Sequence, residues 1–168
     1  MREQVKRNYL EITSIDDLKG VNKPTIDYSL YLLDPVDFQL NKFFYKNIGK
    51  KHKWIDRLAW SEEKWIDYVS SKNVNTYVLK QKDDLVGFFE LILHQENNEI
   101  EIAYFGILEE YQNKKLGSYL LSEAIKESLY KKSIERVWLH TCSLDHKNAL
   151  NNYLARGMKI FKTEIINI

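Results

Sequence analysis

An α+β fold, built on one mixed and mostly antiparallel sheet of six or seven strands with about four helices, is predicted by three features of the sequence. Between residues 74 and 107, three β-branched and aromatic runs (74–80, 85–94 and 99–107) are separated only by the short polar turns 82–84 and 95–98, the pattern of an antiparallel meander. From Leu116 the apolar positions Leu116, Leu120, Leu121, Ala124, Ile125 and Leu129 fall at helical spacing over about 116–132, and an apolar strand follows at 135–142. A strand, a helix and a second strand in that order call for a right-handed crossover, which places 135–142 parallel to 99–107.

Residues 1–24 mix charged and apolar positions without a sustained period and stay unassigned, apart from a short edge strand expected at 9–12; Pro24 breaks what precedes it. Residues 25–33 alternate as a strand, and Asp34-Pro35 supplies an N-cap with proline at the first position of a helix expected over 35–47. Lys46, Lys50, Lys51, His52 and Lys53, clustered around Gly49, read as a solvated loop, with a docking patch for an acidic acceptor as the other reading. Ser61 caps a second helix over 61–69, with Glu62 and Glu63 in its first turn. After the long helix and its strand, a helix over 145–156 ends at Gly157 and a last strand covers 159–166. No repeat, linker or low-complexity tract interrupts the series. A chain of 168 residues, 44% apolar and 29% charged, is long enough for one buried core, so a single domain over 1–168 is expected.

The 25 basic and 24 acidic side chains nearly cancel, which argues against nucleic acid or an anionic membrane as the main partner. Cys142 is the only cysteine, so an intrachain disulfide and a Cys-based zinc site are excluded, no metal is expected, and a reducing compartment fits. The charged start, Met1-Arg-Glu-Gln-Val-Lys-Arg7, lacks an apolar h-region, and no run of ~18 apolar residues occurs, so a cytoplasmic location is expected.

The stretch 103–118 organises the chain. A helix starting near Leu116 points unpaired N–H groups and the positive end of its dipole at the preceding loop, and Gly117 offers no side chain to obstruct a ligand resting there. This suits a pyrophosphate, although one glycine at a helix start is also ordinary turn chemistry. The stretch lacks the G-x-x-x-x-G-K-[ST] and G-x-G-x-x-G patterns, which argues against a P-loop or Rossmann site.

Gln112-Asn-Lys-Lys-Leu-Gly117 resembles the Q/R-x-x-G-x-G/A loop of the GNAT superfamily of acyl-coenzyme A N-acyltransferases, with Lys115 where the first glycine usually stands. Downstream, Ala149-x-x-x-Tyr153-x-x-x-Gly157-Met158 is similar to that family's A-x-x-x-Y-x-x-x-G-F, with Met for Phe and with His146 where Asn is common. Glu101-Ile-Ala-Tyr-Phe-Gly106 and the segment 136–146 resemble a bacterial subgroup of general acetyltransferases, and the likeness extends faintly from Tyr9 to the C-terminus. The resemblance implies a GNAT fold with splayed central parallel strands and acetyl-coenzyme A as acyl donor. It places the donor's pyrophosphate on Gln112, Asn113, Lys114, Lys115, Leu116, Gly117 and Ser118, and its pantetheine arm and thioester carbonyl along Phe105, Gly106 and Ile107. It also makes Trp54, Arg57 and Trp60 candidates for gripping an amine acceptor, against the plainer reading of core tryptophans and a surface ion-pair partner.

Acetyl transfer from a thioester to an amine needs a neutral amine, an oxyanion donor and a proton for the departing thiolate. An alkyl ammonium of pKa about 10.4 must lose its proton, and a strand carboxylate in apolar surroundings is a suitable base. Glu101 and Glu90 are two carboxylates inside strand patterns; Glu101 matches the family's base by its spacing ahead of Ile107, Glu90 could share the task, and His140 is a weaker third. Tyr153 fills the family's tyrosine position and so is expected to protonate the thiolate. Cys142 lacks a Cys-His-Asn signature and reads as a small buried residue, so single-displacement transfer is expected. A non-catalytic coenzyme A sensor or interaction module on the same fold, suggested by Lys115 and Met158, is the rival. The acceptor, the acyl chain length and the oligomeric state stay open, a homodimer being among the expectations.

Overall fold

The computed structural model describes residues 2–168. In chain order the elements are β1 (Gln4–Ile12), β2 (Tyr28–Leu32), α1 (Phe38–Gly49), α2 (Glu62–Ser70), β3 (Val74–Gln81), β4 (Asp84–His94), β5 (Glu99–Ile107), α3 (Leu116–Leu129), β6 (Arg136–Cys142), α4 (Ala149–Ala155) and β7 (Lys159–Asn167). All seven strands form one sheet in the order β2-β3-β4-β5-β6-β1-β7. Every neighbouring pair is antiparallel except β5 and β6, which the crossover through α3 makes parallel. Their pairing covers only Glu99↔Arg136, Ile100↔Val137 and Glu101↔Trp138, after which the two strands part.

Helices cover both faces. Leu116, Leu120, Leu121, Ala124 and Ile125 of α3 bury their apolar stripe against Leu91, Ile100, Ile102, Val137 and Leu139 on one side. On the other, Phe44 of α1 stacks on Phe88 at 4.9 Å and the Ile48 side chain fills the space above Gly106, where a Cβ would lie 2.6 Å from Ile48 Cγ2. Covered twice, β4 is buried continuously from Val86 to Leu91 instead of alternating. Glu90 sits inside this run.

A β-bulge sets which side chains reach which face. Glu90 pairs with Tyr104 and Leu91 with Ile102, leaving Ala103 as the extra residue of β5. Before the bulge Ile100 and Ile102 join the α3 core; after it Phe105 and Ile107 do. Glu101, Tyr104 and Gly106 are thereby turned to the α1 side together.

Three expectations are corrected. The strand expected at the edge over 9–12 is nine residues long and lies between β6 and β7. Its core-facing row begins with Asn8, a polar residue accepting a hydrogen bond from Thr163 Oγ1 at 2.7 Å, which hid the alternation that Leu10 and Ile12 continue. The first helix starts at Phe38 rather than at Pro35, because Asp37 Oδ1, not Asp34, accepts the Gln39 N–H at 3.0 Å. The last helix starts at Ala149, because Asp145 is used elsewhere: its Oδ2 accepts from Thr141 Oγ1 at 2.5 Å and from the Cys142 N–H at 3.0 Å, closing the turn after β6.

Gly157, two residues past α4, has φ +103° and faces the Asp17 backbone, where an added Cβ would overlap the carbonyl oxygen. Gly157→Ala therefore meets both a left-handed backbone and a clash, and is expected to cost about 2 kcal/mol or more, read as a lower denaturant midpoint at unchanged slope.

Candidate active site

Where β5 and β6 part, the sheet opens into a cavity of about 1000 Å³ bordered by the loop after α1, the loop after β5 and the start of α4. The backbone of β5 supplies its wall. The Leu108 N–H bonds the Val86 carbonyl at 2.8 Å, so by strand alternation the Gly106 amide turns to β4 while those of Phe105 and Ile107 turn toward the gap left by β6. Gly106 thus borders the cavity without offering its amide, and the close approach it permits is that of Ile48, not of a ligand. Gln112 Nε2 donates to the Ile107 carbonyl at 3.4 Å, tying the loop to the end of the strand.

The loop and the start of α3 form an uncapped helix start at the place where the sequence led us to expect the donor's pyrophosphate. Lys115 is the N-cap residue of α3 at φ 62°, ψ 15°, and Asn113 is left-handed at φ 64°. The backbone angle at which glycine is usual is therefore adopted by lysine itself, at the modest cost that non-glycine residues incur in this region. No side-chain oxygen caps the helix, so the first amides of α3 are left for a ligand, and the space at the missing Cβ of Gly117 holds nothing nearer than Asn152 Nδ2 at 3.8 Å. Asn152 Oδ1 is buried without a partner on the same side. The open helix start, with its unpaired N–H donors, fits a phosphorylated ligand, whereas Asn152 Oδ1 is an acceptor and adds nothing to that fit. Gln112, Asn113, Lys115, Leu116, Gly117 and Ser118 border the cavity, whereas Lys114 does not and turns its Nζ over the Tyr111 ring, 5.3 Å from the centroid.

Glu101 lines the cavity with its side chain 17% exposed, and its Oε1 is held by His94 Nε2 at 3.0 Å. Tyr153 approaches from α4, 6.5 Å from the Phe105 ring between centroids. Its hydroxyl bonds to no group among the described residues, although the side chain is 8% exposed and borders the cavity. Burial, with a smaller effect of Asp145, holds this hydroxyl well above the ordinary tyrosine pKa, so it keeps its proton. Cys142 is half-buried on the cavity wall rather than in the core; burial pushes its thiol up, away from the reactive thiolate.

The carboxylate of Glu90 is fully buried and does not reach the cavity. Its two oxygens accept from Arg57 Nη1 at 3.1 and 2.9 Å, from Asn41 Nδ2 at 2.9 Å and from the Tyr68 hydroxyl at 3.0 Å. With its lone pairs engaged in this way, Glu90 has no access to an acceptor's proton, and it positions Arg57 instead. Arg57 is neither a surface ion-pair partner nor freely solvated: it is 6% exposed, with its Cζ 4.2 Å from the Tyr68 ring, 4.3 Å from Tyr104 and 4.7 Å from Trp60. Burial works against its charge and Glu90 outweighs it, so the guanidinium is held above its ordinary pKa. Trp54 and Trp60 border the same cavity, Trp54 packed edge-on to Tyr104 at 4.8 Å.

The charged run after α1 is a loop that folds back over this mouth. Lys51 pairs with Glu109, Lys53 with Glu3 at 2.5 Å, and His52 Nδ1 lies 3.1 Å from the Leu144 carbonyl. His94, Tyr68 and Asn41 went unnoticed in the sequence. The signal that could have found Tyr68 and Asn41 is Glu90 itself, since a carboxylate in a strand buried on both faces demands donors; His94 pairs with Glu101 instead, across the turn from β4 to β5. No helix among the described residues is long and apolar enough to cross a membrane, and no group of three or more His, Cys, Asp or Glu side chains there could hold a metal ion.

A family model described as the acetyltransferase (GNAT) family matches residues 38–158. No curated protein sequence matches the chain significantly. Among solved structures, a GCN5-related N-acetyltransferase from Sphaerobacter thermophilus superposes with TM-score 0.71 at 14% identity, covering 99% of this chain and 53% of its own. One from Kribbella flavida gives 0.66 at 12% identity, covering 96% and 56%, so the chain spans about half the length of both. A spermidine N-acetyltransferase from Vibrio cholerae, in complex with CoA and spermine, gives 0.64 at 17% identity, covering 85% of this chain and 96% of its own.

Proposed function

The chain belongs to the GNAT acetyltransferase family, and from that premise we propose that it is an acyltransferase that moves an acetyl group from acetyl-coenzyme A directly to the primary amine of an acceptor. What carries this reading is the parting of β5 and β6 after Glu101, which leaves two unpaired strand amides between a carboxylate on one side and a protonated tyrosine on the other. The donor supplies an activated thioester. The amides of 112–118 and the open space at Gly117 bind its pyrophosphate, with Lys115 beside the cradle. The Phe105 and Ile107 amides donate hydrogen bonds to the developing oxyanion, a role in which removal of one donor typically costs ~10²-fold or more.

Glu101, fixed by His94, takes the amine's proton through water, and Tyr153 returns a proton to the departing thiolate. Nitrogen adds to the acetyl carbon, placing the carbonyl's electron pair on oxygen as the oxyanion, and the carbon–sulfur bond breaks as the carbonyl re-forms, so no protein nucleophile intervenes. Lys115 and Met158, which suggested a non-catalytic module, lose that force: the lysine holds the left-handed angle, and Met158 is 2% exposed in the core.

Thiol release from acetyl-coenzyme A across a panel of amines tests the reaction. Turnover in wild type, with an alkaline rise of kcat/KM that Glu101→Gln flattens, is the expected result; no release with any amine while coenzyme A still binds would favour the sensor. Gly117→Asp sets a carboxylate where the pyrophosphate is to lie and should weaken coenzyme A by at least about tenfold in calorimetry. Equal affinity would remove the cradle from the site.

A further inference from the structure

Arg57 presents a second binding surface inside the acceptor end of the cavity. Only its Nη1 is used by Glu90; Nε and Nη2 bond to no group among the described residues. Neither nitrogen is among the buried atoms left without a partner, and Arg57 borders the cavity, so the small accessible surface of this 6% exposed residue includes these two donors. The Nε–Nη2 edge is the one that matches a carboxylate with two parallel hydrogen bonds. It is also pre-set. Glu90 cannot swing to take these donors, since its oxygens already accept from Asn41 and Tyr68, and the rings of Tyr68, Tyr104 and Trp60 hold the guanidinium flat.

The aromatic groove that could have received a cationic substrate group is thus filled by the protein's own cation. Resting on the acetyltransferase reading above, we propose that Arg57 anchors a carboxylate of the acceptor, and that the enzyme acetylates amines that also carry a carboxylate, amino acids or short derivatives of them, in preference to polyamines. Spacing agrees. Arg57 lies 4.3 Å from the Tyr104 ring, and Glu101 stands three residues earlier on the same face of β5, at most about 10 Å along the strand. One small molecule spans that distance, its carboxylate on Arg57 and its amine toward Glu101. Asp56 also borders the cavity, but it is exposed and its charge is screened by water.

The test is calorimetry on the coenzyme A-loaded protein, titrated with the common amino acids, their carboxamides, their decarboxylated amines, spermidine and phosphoethanolamine, followed by acetyl transfer to each. At least one amino acid should bind about 10–100-fold tighter than its carboxamide and its decarboxylated amine, the range expected for a charge-assisted pair. Arg57→Lys, which keeps a cation for Glu90 but loses the fork, should erase that preference by raising KM for the acid while kcat and coenzyme A affinity stay near wild type. The acid-to-amide comparison on wild type needs no variant, so a misfolded Arg57→Lys would leave the test intact. Carboxamides or spermidine bound and acetylated as well as the acids would overturn the anchor while leaving the acetyltransferase standing. Tighter binding of phosphoethanolamine, or no binding by any carboxylate, would also overturn it. Preferential binding of the acids without transfer would keep the anchor and reject the acetyltransferase reading.

Discussion

Replacing Tyr153 by Phe should lower kcat by roughly 10²–10⁴-fold, the usual effect of removing a positioned general acid, and leave the melting temperature almost unchanged. The two readouts separate because the hydroxyl has no hydrogen-bond partner among the described residues, so its removal orphans nothing, while the ring keeps its packing against Phe105. The pH dependence follows from the same burial. On the proposed mechanism the acid form of Tyr153 is the active one, and burial with Asp145 raises its pKa, so this group's contribution is present at low and neutral pH and is lost only as pH rises past that elevated value. The kcat of wild type should therefore show no alkaline fall from this group up to pH about 10, its ordinary pKa. A Phe variant with wild-type kcat would assign the thiolate's proton to another donor.

Glu90→Ala should produce the largest loss of stability, about 3–5 kcal/mol, or roughly 6–20 °C in melting temperature for a chain of this size. The cost arises from the residue left behind. Arg57 would keep its charge at 6% exposure with no counter-ion, and Tyr68 and Asn41 would each lose an acceptor. The double variant Arg57→Met with Glu90→Leu removes both charges at similar volume and should recover part of that loss, while it should not recover binding of the acceptor. Thermal unfolding of the two variants measures both statements; a stable Glu90→Ala protein would mean that water from the cavity reaches the guanidinium freely.

The meander, the crossover and the parallel pairing of β5 with β6 were legible because each rests on local periodicity and short turns, and because a right-handed crossover leaves one choice. The family resemblance was carried by the loop 112–117 and by Ala149, Tyr153 and Gly157, whose spacing survives substitutions such as Lys115. The limits of α1 and α4 were not legible, since two aspartates competed for the first cap and Asp145 was drawn into a turn by Thr141 and Cys142.

By itself the sequence determined the order of elements, the GNAT fold and the place where α3 starts, because these follow from contacts among near neighbours and from a motif of fixed spacing. Only the tertiary structure decided what Glu90 and Arg57 are. Two residues separated by 32 intervening positions met in a strand covered on both faces, where a carboxylate cannot turn outward and must gather donors from α1, α2 and the loop between them. The bulge at Ala103 likewise decided that Glu101, Tyr104 and Gly106 share a face, a change of phase that strict alternation along the sequence does not reveal.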